Sequence, residues 1–254
     1  MAAPSAHDGD AAVDTAAIAL IGDELLSGKV LDENAALLTR DLRELGVALR
    51  RVIVLPDVVE EIAETVAALS AGYAHVFTSG GVGPTHDDLT MTGIAQAFGT
   101  RVVRHPFLEE RLRAHYGARL QERDLRMAEV PEGCVLVGDG AGTAGWPVVS
   151  YRNVYILPGV PQIFRAKWAT IRERFRRAPF HLRQVYVSVG EGHIAHHLDR
   201  VVAEHAGVQV GSYPRLDEPA YRVRVTLEGK ARAGVDAATA RLVALLGDVV
   251  VKVD

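Results

Sequence analysis

From residue 16 to residue 177 the sequence switches between short continuous apolar runs and longer stretches with an apolar repeat of three to four. The short runs, bounded by Gly or Pro, read as buried strands; the longer repeat reads as amphipathic helix. Residues 16–21, closed by Gly22, form the first predicted strand. A helix then starts at Asp32, with Ala35, Leu38, Leu42 and Leu45 on one face and Gly46 as its terminator. A second strand, 51–55, stops at Pro56, and 58–69 is a helix with Glu60, Glu61 and Glu64 on its polar side. A third strand, 74–78, leads through the loop 79–84 to a helix that Asp88 is placed to cap and that ends at Phe98. Helix 106–119, strands 135–137 and 154–157 and a basic helix 161–177 complete this part.

Strand–helix alternation predicts a mostly parallel sheet with helices on both faces, an α/β/α sandwich. Right-handed crossovers put every loop that follows a strand on one edge of the sheet, where such sheets bind ligands. Ala178-Pro179 reads as a boundary. Beyond it, strands 184–189, 208–212, 221–227 and 249–253 and helices 194–205 and 235–246 predict a small α+β domain, in which Arg222 and Arg224 alternate with Val223 and Val225. The expected organisation is a disordered tail 1–15, an α/β domain 16–178 and the small domain 179–254.

Composition narrows this little. Apolar residues make up 48% and charged residues 24%, which excludes a disordered or collagen-like chain. No run of ~18 apolar residues exists, so no membrane helix is expected. The start is neither basic nor apolar enough for a signal peptide, and the single Cys134 has no partner for a disulfide, so a cytoplasmic protein is expected. A net charge of -4 gives no footprint for nucleic acid.

The candidate chemistry falls in the strand-following loops. Asp23 and Glu24 lie directly after a buried strand, where a divalent cation shared with water and phosphate would compensate their charge; capping of the next turn is the other explanation. In the run 78–90, Gly80, Gly81 and Gly83 let the backbone approach phosphate oxygens, while Asp87 and Asp88 suit a bridging metal; a capped glycine turn is the simpler alternative. At least one of Gly81 and Gly83 is expected to need φ > 0 or to touch ligand. Gly140–Gly145 matches G-x-G-x-x-G, but a strand rather than a helix follows, so a dinucleotide fingerprint is rejected. His193 and His197 share a helix face without a third ligand and are read as surface residues. Cys134 is read as a small core residue, and Arg172, Arg174, Arg176 and Arg177 as a solvated helix face.

Four motifs in order carry a family resemblance: Gly22-Asp23-Glu24-Leu25-Leu26-Ser27-Gly28 with Asp32 and Asn34; Gly80 to Thr90; Gly142-Thr143-Ala144; and Leu157-Pro158-Gly159-Val160-Pro161. They resemble the CinA-type branch of the MoaB/Mog (molybdopterin-binding-like) family across residues 16–175. Gly145-Trp146 departs from the Pro-Gly usual there. The remainder resembles the small KH-type domain of CinA proteins, and 211–214 with 221–223 resemble the equivalent part of FAD synthases. The resemblance implies a Mog-like three-layer sandwich. It also implies a metal-dependent pyrophosphatase that cleaves ADP-ribose or FAD to AMP and a second phosphate. The alternative it implies is a molybdopterin-binding protein or molybdopterin adenylyltransferase. The deamidase activity of longer CinA proteins is not expected from these residues.

On this basis Asp23, Glu24, Asp57 and Asp88 are expected to hold a divalent metal (Mg, Mn or Co), and Asp57, Asp87, Asp88 and Glu24 to serve catalysis. Gly22, Ser27, Asn34, Ser79, Gly80, Gly81, Gly83, Thr85, Thr90, Gly142, Thr143, Pro158 and Gly159 are expected to bind substrate. The expected partners are a nucleotide diphosphate or pterin and further copies of the chain, with neither nucleic acid nor membrane.

Overall fold

The computed structural model describes residues 13–138, 146–215 and 217–254. These fall into two compact units, one of residues 13–177 and one of residues 178–254. Most of the expected tail lies outside the described residues. Its last part is ordered: Asp14 binds Arg177 and His75, and the first strand already begins at Thr15.

In the first unit the chain runs β1 (Thr15–Ile21), α1 (Asp23–Leu26), α2 (Asn34–Glu44), β2 (Ala48–Leu55), α3 (Val59–Gly72), β3 (His75–Ser79), α4 (Thr90–Ala97), β4 (Val102–Arg104) and α5 (Pro106–Tyr116). It continues through β5 (Glu129–Pro131), β6 (Val135–Val137), β7 (Val148–Tyr151), β8 (Val154–Leu157) and α6 (Pro161–Ile171). The main sheet has the order β2-β1-β3-β8-β7-β6. Its first four strands are parallel, and β7 and β6 extend it antiparallel. The predicted α/β/α sandwich with a mostly parallel sheet is therefore what forms.

Strand β1 is buried on both sides, which is why it reads as an unbroken apolar run. Its alternate residues feed two cores. Ala17, Ala19 and Ile21 pack with Ile62 and Val66 of α3, Ile94 of α4 and Leu108 of α5. Ala16, Ile18 and Leu20 pack on the opposite side with Leu38 and Leu42 of α2 and Phe164 and Trp168 of α6. The Trp168 indole donates to the buried Asp41 carboxylate at 2.8 Å, which joins α2 to α6.

Three local expectations change. Asp88 does not cap α4: its carboxylate accepts from the Thr85 N–H and hydroxyl, inside the preceding loop. The basic helix stops at Ile171 and tightens into a 3-10 turn, Arg172–Phe175. Its arginines are not simply solvated: Arg172 faces Glu44 and Asp41, Arg176 pairs with Glu173, and Arg177 with Asp14.

The second unit runs β9 (His181–Val187), α7 (Glu191–Glu204), β10 (Gln209–Pro214), β11 (Val223–Gly229), α8 (Arg232–Leu246) and β12 (Val250–Val253). The small α+β domain expected there forms a sheet of order β10-β11-β9-β12 with every neighbour antiparallel, a split β-α-β arrangement. Both helices cover one face, where Val185, Val187, Val223, Val225 and Leu227 meet Ile194, Val201, Val235 and Leu242. No helix in the described residues is long and apolar enough to cross a membrane.

Candidate active site

Strands β1, β2, β3 and β8 end level with one another: Ile21 pairs with Leu55, Leu20 with Ser79, and Ser79 with Leu157. The four loops that follow these strands therefore open on one edge, as parallel topology requires. Hydrogen bonds tie them together. The Gly22 N–H donates to the Leu55 carbonyl at 3.1 Å, and the Asp23 N–H donates to Asp57 Oδ2 at 2.9 Å. Asn34, only 3% exposed, donates from Nδ2 to Ser79 Oγ at 2.9 Å and to the Gly159 carbonyl at 2.8 Å. Asp32 sets Asn34 in place by accepting from the N–H groups of Asn34 and Ala35 at the start of α2. Ser79 in turn donates to the Pro158 carbonyl at 3.4 Å.

The glycine loop is shaped by close approach. Gly80 has φ +106°, and a Cβ there would overlap the Ile21 carbonyl oxygen. Gly81 has φ +63°, and a Cβ would run into the Thr90 hydroxyl. That hydroxyl donates to the Gly80 carbonyl at 2.8 Å, and the Thr90 N–H donates to the Gly81 carbonyl at 3.0 Å. The expectation of a positive φ is thus met at Gly81. Gly83 does without one; a Cβ there would meet the Asp88 carboxylate instead. The Gly80 N–H is spent on the Leu157 carbonyl. Among the described residues, the N–H groups of Gly81, Val82 and Gly83 have no protein partner, so the potential anion cradle lies there.

The carboxylates divide into two groups. Burial pushes the Asp57 carboxyl up from the usual range; the Asp23 N–H draws it down, but the charges of Glu24, Asp23 and Asp87 raise it further. Asp87, exposed, is held low by the adjacent Thr85 side chain and its own backbone N–H, with His86 and Arg126 adding positive charge. Asp23, Glu24, Asp57 and Asp87 therefore share one field, whereas Asp88 turns back onto Thr85. Glu24 also folds over Gly22, where a Cβ would strike its carboxylate. Ser27 lies apart, its hydroxyl turned to the Glu24 carbonyl. Gly142 and Thr143 lie outside the described residues.

Two features escaped the sequence reading. Arg126, in the 3-10 segment Glu122–Ala128, donates to the Pro84 carbonyl at 3.4 Å and brings a cation to the glycine loop. Its position some 40 residues beyond that loop carries no local signal. Lys167 on α6 donates to the carbonyls of Trp146 and Pro147, and burial lowers its pKa to about 8.

No three His, Cys, Asp or Glu side chains among the described residues form a ready metal cage. The donor set is nevertheless all hard oxygen, and Asp57 sits among like charges. This suits a hydrated dication of the magnesium type, held by one or two carboxylates and completed by substrate phosphate. Of the α7 histidines, His193 and His196 are exposed and His197 is half-buried, and burial raises the Cys134 thiol.

Comparison with known proteins agrees with the fold. Residues 17–177 match the family described as "Probable molybdopterin binding domain", and residues 179–254 match "FAD synthase, middle domain". A protein of Archaeoglobus fulgidus is 34% identical over 90% of this chain and 96% of its own length. A "Probable FAD synthase" of Caenorhabditis elegans is 31% identical over 94% of this chain, which spans about half (51%) of that relative. Among solved structures, the CinA protein of Thermoplasma acidophilum, described as of unknown function, superposes with a TM-score of 0.58 at 30% identity, covering 64% of this chain and 98% of that one.

Proposed function

Since this chain belongs to the molybdopterin-binding-domain family and carries a FAD-synthase middle domain behind it, we propose that it cleaves a nucleotide diphosphate such as ADP-ribose or FAD to AMP and a second phosphate. The observation that carries this reading is Asp57, raised by burial and by three neighbouring carboxylates beside a loop with three N–H groups unpartnered among the described residues. A bare diphosphate would be repelled there. A diphosphate brought with a divalent cation (Mg, Mn or Co) would be matched on both counts.

The cation, when bound, polarises the diphosphate and lowers the pKa of its water. Asp23, Glu24 and Asp57 are the residues that would hold it. The amides of Gly81, Val82 and Gly83 would bind phosphate oxygens as charge develops on them. Arg126 would offset the charge of Asp87, which is exposed and ionised and so able to orient a water. Asn34 keeps a buried Oδ1 without a partner among the described residues, an acceptor ready for a ribose hydroxyl.

The test is AMP release from ADP-ribose and from FAD with Mg, Mn or Co. EDTA should abolish it, and Asp57→Asn should lower turnover about 100-fold, or about 2.7 kcal/mol in barrier, with the melting temperature kept. Undiminished turnover in a folded Asp57→Asn protein would count against the reading. Adenylated pterin from ATP, with no AMP from any diphosphate, would move the assignment to the adenylyltransferase alternative.

A further inference from the structure

The sheet of the second unit has one face that no described element of that unit covers. Across it runs a row of side chains set by strand register: Tyr213 on β10 pairs with Arg224 on β11, Arg224 with Tyr186 on β9, and Tyr186 with Lys252 on β12. Aromatic and cation alternate over four strands, about 14 Å at the usual strand spacing. The Arg224 guanidinium lies 5.3 Å from the Tyr213 ring centroid, and Lys252 lies 5.4 Å from that of Tyr186. Tyr221 packs edge-on against Tyr186 at 4.7 Å. In the next row Gly211 pairs with Thr226, and Thr226 with Gln184. The Tyr213 ring leans over Gly211, where a Cβ would crowd both that ring and the Thr226 hydroxyl. The glycine therefore lets the ring lie down as a platform, 47% exposed.

Such a row could serve only to knit the strands together. Arg224 argues for more. Its Nε is buried without an acceptor among the described residues, and its guanidinium faces the Tyr213 ring. Buried donors of a structural arginine normally find acceptors. Lys252, by contrast, is already neutralised by Asp254 at 2.7 Å. The exposed Arg222 approaches the same face one alternation earlier. The face thus offers a flat aromatic surface beside an uncompensated guanidinium.

We propose that this face binds a mononucleotide, its planar base stacked on Tyr213 and its phosphoryl group held by Arg224. A nucleic-acid strand fits less well. It needs a track of cations along its backbone, whereas here one of the cations is cancelled by Asp254 and the chain carries a net charge of -4.

The glycine loop belongs to the other unit and is itself proposed to bind nucleotide, so the experiment must locate binding as well as detect it. AMP and FMN are titrated into the full chain while backbone amide resonances are followed. Saturable shifts are expected at Gly211, Tyr213, Thr226 and Tyr186. Arg224→Gln and Tyr213→Ala should each weaken them about tenfold or more, Tyr213→Phe should retain them, and Asp57→Asn in the first unit should leave them in place. Absence of shifts at these amides, or shifts that survive Arg224→Gln in a protein of unchanged fold, would overturn the proposal. So would equal binding of inorganic phosphate, which needs no stacking, or tighter binding of a single-stranded oligonucleotide than of AMP at the same amides.

Discussion

Gly81 adopts φ +63°, and the space its missing side chain would fill belongs to the Thr90 hydroxyl. An alanine there puts a methyl group in a loop whose N–H groups form the potential anion cradle. The geometry adds a folding cost. A left-handed non-glycine residue costs about 1–2 kcal/mol, and the intruding methyl group would displace a hydroxyl that closes the loop onto Gly80. Gly81→Ala should therefore lose about 1–2 kcal/mol in denaturant unfolding as well as nucleotide affinity in calorimetric titration. Unchanged stability would show that the loop relaxes freely around the new methyl group. Asp88 teaches a related point. Its place just before α4 resembles a helix cap, yet its carboxylate serves Thr85, because a side chain so close in sequence can close the loop before reaching the helix.

At the scale of elements, the buried runs were the easiest to read. Strand β1 and the apolar face of α2 announce themselves because both are packed against neighbours along their whole length. Strand β2 was legible only in part: it starts at Ala48, but as an edge strand it leaves Arg50, Arg51, Val52 and Val54 exposed, so its first half shows no apolar run. The three-residue strands β4 and β5 pair with each other outside the main sheet and are too short to show a period. Strand-following loops brought Asp23, Asp57 and the glycine loop to one edge, and topology alone predicts as much. It says nothing of Arg126, which arrives from an irregular segment. The joint between α2 and α6 was equally invisible, since the alternation of core positions does not reveal that Asp41 would be buried against an indole. Asp41→Ala should leave the Trp168 N–H buried without an acceptor and cost about 1–3 kcal/mol of stability, read by chemical denaturation. Asp41→Asn, which keeps an acceptor, should cost less; equal loss in both would assign the effect to charge.

The whole first unit is fastened where its ends meet. Asp14, just before β1, accepts from Arg177 at 2.5 Å and lies 3.1 Å from His75 Nε2. Burial lowers the His75 pKa, outweighing the pull of Asp14, so the folded protein keeps this ring neutral at pH values where the unfolded chain takes up a proton. Burial works against ionisation of Asp14 too, but its bonds to Arg177 and His75 prevail and hold its carboxyl low. Both shifts have the same sign: stability is complete above the unfolded pKa and is lost on acidification, first below about pH 6.5 through His75 and then below about pH 4 through Asp14. The melting temperature should hold steady down to about pH 7 and then fall, and His75→Gln should flatten the fall between about pH 6.5 and 5. A slope unaltered by that substitution would assign it to other groups. The Asn34 contacts give the same unit a history. Asn34 meets Ser79 45 residues on and Gly159 125 residues on. At the usual pace of synthesis, about 5–20 residues per second, the ribosome needs about 6–25 s to make that second partner after Asn34 itself. Until then β3 is an open edge without β8 beside it, and the Asn34 amide lacks its second acceptor. The crevice is thus born late and all at once, and a nascent chain halted short of Gly159 carries the family's first two motifs with nothing yet to bind.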